Sequence, residues 1–153
     1  MSHVISYRTA VLALAFAAMP AHATDCKPVH AELIESRYTT GCDPGEPSCF
    51  LGVVQGNHGL TGTTHFRSDS FLGPIPTSPN STPYSGPFHY RLDGGTITMR
   101  STGVTIPGVV TEVQRITDAT GDFAGATGDF FVFGTRDASG VITTKIDGTL
   151  CFP

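Results

Sequence analysis

Residues 118–130 read DATGDFAGATGDF, and the five letters ATGDF occur in this stretch twice, at 119–123 and at 126–130. A repeat of this kind fits a metal-binding motif, a fragment of a solenoid or a tight hairpin. A calcium-binding nonapeptide repeat needs a longer period and several stacked copies, whereas this one has a spacing of seven residues and two copies. The sequence therefore favours a structural turn over a metal site.

The glycines of the repeat are predicted to supply backbone freedom at that turn. Gly121, Gly125 and Gly128 stand at positions where the chain would reverse, and glycine adopts conformations there that other residues disfavour. Phe123 lies between the two copies. We expect its ring to pack inward and anchor the turn.

Around this stretch, runs rich in Thr and Val alternate with polar residues and are separated by Gly and Pro. Such alternation predicts half-buried strands, and helical periodicity is almost absent. The predicted strands are 29–39, 50–55, 60–72, 88–93, 96–104, 109–117, 128–136 and 141–150. Eight strands suffice to close a small barrel without exposed edges. The Pro- and Ser-rich stretch 73–87 is predicted to be a surface loop.

Two hairpins assign apolar side chains to the interior of this predicted barrel. The first turns at 94–95, and the last turns around 137–140 through a loop of two or four residues. The side chains that these registers place inside are the candidates for lining a ligand cavity. They are Phe88, Tyr90, Leu92, Ile97, Met99, Phe131, Phe133 and Ile146.

The stretch 115–134, RITDATGDFAGATGDFFVFG, resembles the I-T-G-G-[ST]-G-x-F-x-G-x-x-G signature of the allene oxide cyclase barrel and dirigent-like superfamily. Asp118-Ala119 replaces the Gly-Gly that is common in the family. A weaker resemblance extends over most of 50–152. The matching positions are Ile116, Thr117, Thr120, Gly121, Phe123, Gly125 and Gly128.

The resemblance implies an all-β, eight-stranded antiparallel barrel of the calycin-like kind, with an apolar cavity and assembly into dimers or trimers. Family members cyclise a fatty-acid epoxide or steer the coupling of phenols, and a shaped pocket supplies much of the selectivity by confinement. The matching signature is structural, so no catalytic residue is carried over from it.

The N-terminus has the layout of a secretory signal peptide. Residues 1–23 combine Arg8, a short apolar run and an Ala-His-Ala cleavage site. We expect a mature chain that starts near Thr24, forms a single domain over 24–153 and is secreted or periplasmic. No later stretch is long and apolar enough to predict a membrane-spanning helix.

The four cysteines all lie in the expected exported part, where disulfides are typical. Cys42 and Cys49 flank the turn-forming segment DPGEPS, so their ends approach at a small entropic cost. We predict the pairs Cys42–Cys49 and Cys26–Cys151. A metal site is the alternative, but the cysteines and histidines show no ligand spacing.

The charge and the absence of known motifs exclude several classes of function. The net charge is −4, and the basic residues are scattered, so no nucleic-acid partner is expected. Known catalytic, phosphate-binding and dinucleotide-binding motifs are absent from the sequence, and no cofactor or metal is expected.

A polar group at the barrel mouth is the remaining candidate site. His65 and Arg67 share one face of a predicted strand, and Glu112 and Arg115 lie on opposite faces of another, so that one of those two would point inward. The alternative is that all four lie on solvated faces.

Three functions follow as hypotheses. The barrel would bind a small apolar or phenolic molecule and steer its cyclisation or coupling, carry such a molecule unchanged, or act through its surface with its interior filled by side chains.

Overall fold

The computed structural model describes residues 25–153, which form one antiparallel β-structure. The predicted signal peptide, 1–23, and the expected first mature residue, Thr24, lie outside the described residues. The strands are β1 (Asp25–Tyr38), β2 (Cys49–Gly56), β3 (Thr61–Phe66), β4 (Ser70–Phe71), β5 (Thr82–Leu92), β6 (Gly95–Ile106), β7 (Val109–Ala119), β8 (Thr127–Arg136) and β9 (Ile142–Phe152).

Eight of these strands close a barrel, which confirms the predicted fold class. They follow one another in the order β3-β2-β1-β9-β8-β7-β6-β5, and β5 pairs with β3 to complete the ring. The two-residue strand β4 adds to the edge of β5. Every long strand thus has a neighbour on both sides, and closure satisfies the backbone groups that an open sheet would expose.

Some strand boundaries differ from the predicted ones. The predicted strand 60–72 is two strands, β3 and β4, with 67–69 between them. β5 begins at Thr82, within the predicted loop 73–87. Its two prolines there, Pro83 and Pro87, lie at positions that pair with Val104 and Arg100 of β6.

The sequence repeat closes one end of the barrel. Its first copy contains a single 3-10 turn (Gly121–Phe123), and its second copy begins β8. Gly121 has φ +63°, and a Cβ there would lie 2.1 Å from the carbonyl oxygen of Gly94. The Asp122 N–H donates to that same oxygen at 2.8 Å. The ring of Phe123 is buried, so the expected structural turn is confirmed.

Large apolar side chains fill the half of the barrel next to this turn, which we call the packed end. Fully buried members come from four strands: Phe88, Tyr90, Ile97, Met99, Phe130 and Ile146. Neighbouring rings touch, with Phe88 and Tyr90 centroids 4.9 Å apart. Complete burial of one such side chain contributes about 1.5–3 kcal/mol. This half of the barrel is a solid core.

The interior positions predicted for Phe131 and Phe133 are wrong. The last hairpin turns through 137–141, an odd number of residues, whereas the prediction assumed two or four. This places Phe131 opposite Asp147 and Phe133 opposite Lys145 on the outer face. Phe131 is 48% exposed, and the interior positions belong to Phe130 and Val132.

The first predicted hairpin has a slightly different register but the predicted faces. Its turn is formed by Asp93-Gly94, so that Leu92 pairs with Gly95 and Tyr90 with Ile97. Each cross-strand partner is thus shifted by two residues, which leaves every side chain on the predicted face. Phe88, Tyr90 and Met99 are accordingly all buried.

Both predicted disulfides are confirmed. The terminal disulfide, Cys26–Cys151, joins β1 to β9 at positions that are direct cross-strand partners. The loop disulfide, Cys42–Cys49, closes the segment that leads into β2. Across residues 25–153, no helix has the length and apolar character to span a membrane.

Candidate ligand cavity and its carboxyl pair

A cavity of about 500 Å³ occupies the other half of the barrel, which we call the open end. There β1, β3, β6 and β8 finish, and β2, β5, β7 and β9 begin. Apolar side chains form much of the wall: Phe50, Phe66, Phe71, Val110 and Ile142. The volume lies within the range that small-molecule sites have.

Glu112 lies in this cavity at the centre of a hydrogen-bond network. The Tyr84 hydroxyl donates to its Oε1 at 2.7 Å. Its Oε2 accepts from the Ser101 hydroxyl and from Gln114 Nε2, the latter at 3.0 Å. Three donors directed at one buried carboxyl group fix its orientation. Glu112 is therefore held in the cavity as a hydrogen-bond acceptor.

The network has room because a neighbouring position is glycine. Gly103 pairs with both Tyr84 and Glu112 across the sheet. A Cβ at Gly103 would lie 2.7 Å from the Tyr84 hydroxyl oxygen. Because position 103 of β6 has no side chain, the Tyr84 hydroxyl can reach the Glu112 carboxyl group.

Glu35 lines the same cavity and has the opposite character. It is 5% exposed, and its Oε2 has no hydrogen-bond partner within residues 25–153. Burial, and secondly the negative charge of Glu112, raise the pKa of Glu35 to about 8. At neutral pH Glu35 is therefore a neutral carboxylic acid beside the hydrogen-bonded Glu112.

Two tyrosines support the pair. Burial, and then the charge of Glu112, raise the pKa of Tyr84 far above its usual value. Tyr90 donates to Gln114 Oε1 at 2.6 Å, and burial likewise raises its pKa. Both remain neutral hydrogen-bond donors, so a relay runs from the packed core through Gln114 to Glu112.

Three arginines surround the mouth of the cavity: Arg37, Arg67 and Arg136. Arg37 donates to the Ser48 hydroxyl at 2.8 Å through Nη2. Within the described part of the chain, neither Arg37 nor Arg136 forms a salt bridge, although the whole protein is acidic. The mouth thus presents unneutralised positive charge.

The eight predicted cavity residues do not line this cavity, which corrects their assignment. Six of them are buried but form the core of the packed end or its margin: Phe88, Tyr90, Leu92, Ile97, Met99 and Ile146. The other two, Phe131 and Phe133, face outward. The prediction placed apolar residues inside correctly in most cases, but it had no means of deciding which half of the barrel they would fill.

The four predicted mouth residues are separated by the structure. Glu112 and Arg67 line the cavity. Arg115 is exposed on the outer face and bonded to Asp129 at 2.7 Å, so its placement at the mouth is wrong. His65 also faces outward, but it is buried beneath the segment that the loop disulfide closes. Its placement at the mouth is wrong as well.

Sequence reasoning missed Glu35, although a signal was present. In β1 the inward positions are Val29, Ala31 and Leu33, and the same alternation continues to Glu35. The alternation predicts that Glu35 faces inward, but no spacing in the sequence connects it with Glu112 on another strand. A carboxyl group at an inward position of a barrel strand was the signal that could have identified the site.

The family-like signature lies at the opposite end from this site. Gly121, Phe123, Gly125 and Gly128 all belong to the turn and strand start that close the packed end. A smaller depression of about 300 Å³ beside Phe123 is lined by Asp93 and Asp122. These residues maintain the barrel and do not contact the open-end cavity.

Comparisons with known proteins do not assign the chain to a family. The chain matches no protein-family model and no curated protein.

Proposed function

We propose that the protein is an exported barrel that binds a small apolar or aromatic molecule in the open-end cavity and rearranges it by proton transfer. One observation supports this proposal above the others. Two buried carboxyl groups, Glu35 and Glu112, face a single cavity in different surroundings: burial keeps Glu35 protonated at neutral pH, whereas Glu112 accepts three hydrogen bonds. Perturbed acid and base groups in a concave site are typical of acid–base catalysis.

The two groups would divide the chemistry as base and acid. Glu112 would accept a proton from an acidic C–H or O–H of the bound molecule, and Glu35 would donate its proton to a different atom of that molecule. The ligand then changes its bonding but not its composition, so the net reaction is an isomerisation or a cyclisation. The proton returns from Glu112 to Glu35 through water at the mouth, and no cofactor is required.

Confinement would supply the selectivity. The cavity has walls on closed antiparallel strands and a floor of packed aromatic rings. A ligand held against such walls has few conformations, which lowers the entropic part of the barrier. This agrees with the cyclisation or coupling role that the family resemblance implies.

The mouth suggests a further property of the ligand. Arg37 and Arg136 offer guanidinium groups above an apolar wall, and guanidinium groups bind carboxylates and sulfonates well. We therefore expect an amphiphilic ligand whose apolar body enters the barrel while its anionic group stays at the rim.

Membership of the allene oxide cyclase barrel and dirigent-like superfamily is also a proposal. It is supported by the signature at 115–134 and is compatible with the closed eight-stranded barrel. Export is supported by the layout of 1–23 and by two disulfides, which form and persist in oxidising compartments. Assembly into dimers or trimers remains a prediction.

Turnover is tested by incubating the mature chain with a lipid and phenolic extract of the producing organism and following products by chromatography and mass spectrometry. An enzyme of the proposed kind converts one compound into another of identical mass, and E112Q and E35Q lose that conversion. If a compound binds to the wild type and to both variants and is released without chemical change, the protein is a carrier. If no compound binds, the result supports the hypothesis that side chains fill the barrel.

Binding is tested separately with 8-anilinonaphthalene-1-sulfonate, an anionic aromatic probe. We expect saturable fluorescence enhancement that weakens about tenfold in R37A/R136A, because the sulfonate loses its guanidinium partners. R115A is the matched control, since it removes an exposed arginine on the outer face. Equal weakening in both proteins would show that general charge, not the mouth, governs binding.

A further inference from the structure

The outer wall of the barrel carries a second cluster of polar groups, remote from the carboxyl pair. His65 is 2% exposed and lies beneath the segment that the loop disulfide closes, where it meets Asp43 and Glu46. We propose that His65 and Asp43 bind a divalent metal ion, with zinc as the best fit, while Glu46 orients the imidazole ring. This site goes beyond the proposed function and does not depend on it.

The imidazole of His65 has one satisfied and one unsatisfied nitrogen. Nε2 lies 2.9 Å from Glu46 Oε2, and because a carboxylate only accepts, Nε2 carries the hydrogen. In the neutral ring Nδ1 is then an acceptor, and this buried atom has no hydrogen-bond partner among residues 25–153. An unpartnered lone pair in a buried position is costly unless a donor or a cation meets it.

Asp43 provides the second ligand at a suitable distance. Its Oδ2 lies 3.9 Å from His65 Nδ1, which is too long for a hydrogen bond. Two acceptors that face each other at this separation can both reach one ion at about 2.0–2.1 Å with a small movement.

Two arginines lie beside the outer oxygens of both carboxylates. Arg91 Nη2 donates to Asp43 Oδ1 at 2.9 Å, and Arg67 Nη1 lies 3.8 Å from Glu46 Oε1. Asp43 Oδ2 is left to face His65 Nδ1, and Glu46 Oε2 accepts the Nε2 hydrogen of the ring. Partners of this kind orient metal ligands and are found around many metal sites. Their positive charge also reduces the affinity, so we expect micromolar binding and not nanomolar.

The donor set indicates the type of metal. One imidazole nitrogen and one carboxylate oxygen suit zinc, and the other coordination positions are left to water. Cys42 and Cys49 lie nearby, but they are bonded to each other and offer no thiolate. The same segment contributes Pro47 and Ser48 to the cavity rim. A bound ion would therefore brace one side of the mouth.

The test is isothermal titration of zinc chloride into the mature chain with both disulfides intact, in a non-chelating buffer. We expect one ion per chain. H65Q should weaken binding about tenfold or more, because the glutamine amide keeps a donor toward Glu46 but lacks the Nδ1 lone pair. D43N should weaken it similarly, and this exposed position carries little risk for folding.

H30Q is the matched control, because His30 forms a 2.7 Å pair with Asp147 on the exposed surface elsewhere. Unchanged binding in H30Q together with loss in H65Q and D43N supports the site. Absence of saturable binding to the wild type overturns the proposal. So does equal binding by wild type, H65Q and D43N, which would show that zinc binds elsewhere.

Discussion

Replacing Glu35 by glutamine should remove a pH dependence from the stability of the barrel. In the unfolded chain this carboxyl ionises near pH 4.5, whereas in the folded barrel its pKa is about 8 because burial and Glu112 disfavour the charge. Between these values the folded state holds a proton that the unfolded state has released. Stability is therefore fully present below pH 4.5 and declines as the pH rises through 8.

The size of the effect follows from the shift. Each pH unit in that window costs about 1.4 kcal/mol of unfolding free energy. From pH 5 to pH 7.5 the wild type should lose roughly 3 kcal/mol more than E35Q, whose amide does not titrate. Solvent penetration into the open end would reduce this figure, so it is an upper estimate.

The assay is chemical unfolding in urea at several pH values with both disulfides intact, analysed as the difference between the two proteins. Taking that difference cancels the contributions of carboxyl groups common to both. E32Q is the matched control, because Glu32 lies on the exposed face of the same strand, and its profile should follow the wild type. Parallel profiles for wild type and E35Q would refute the reasoning, since the buried acid would then titrate normally.

Two further predictions concern packing. F130A should lose about 3–5 kcal/mol of stability, since its ring is fully buried, whereas F131A should lose less than about 1 kcal/mol; comparable losses in thermal or urea unfolding would contradict the register of β8. G103A should lose about 1–3 kcal/mol and weaken probe binding, because its methyl group would meet the Tyr84 hydroxyl. G73A, where a methyl group meets open space, should change neither measurement, and equal effects in the two variants would contradict the role of Gly103.

Alternation along the chain was enough to predict the barrel, because each strand shows one apolar and one polar face. The prediction failed where parity depended on the length of a turn. A five-residue turn at 137–141 and an assumed turn of two or four residues give opposite faces to Phe131. Nothing local in the sequence fixes that length, since Asp137, Ser139 and Gly140 suit several turns.

The site was less accessible to sequence reasoning, because its residues come together only when the barrel closes. Glu35 and Glu112 belong to β1 and β7, on strands that are not neighbours in the barrel. The burial of His65 depends on the segment 43–48, which the loop disulfide closes and which contacts β3 through Glu46. Spacing within one strand carries no information about such contacts.

The terminal disulfide makes the folded chain a covalent ring. It links positions 26 and 151, so that nearly all of residues 25–153 lie inside one closed loop. A protease that cuts one connection between strands outside the segment closed by the loop disulfide would produce a linear molecule, not two fragments, and the cut ends would stay held by their neighbours in the barrel. The ring also brings the first and last strands side by side, which marks the turns at 93–94 and 137–141 as places where new chain ends could be made by circular permutation.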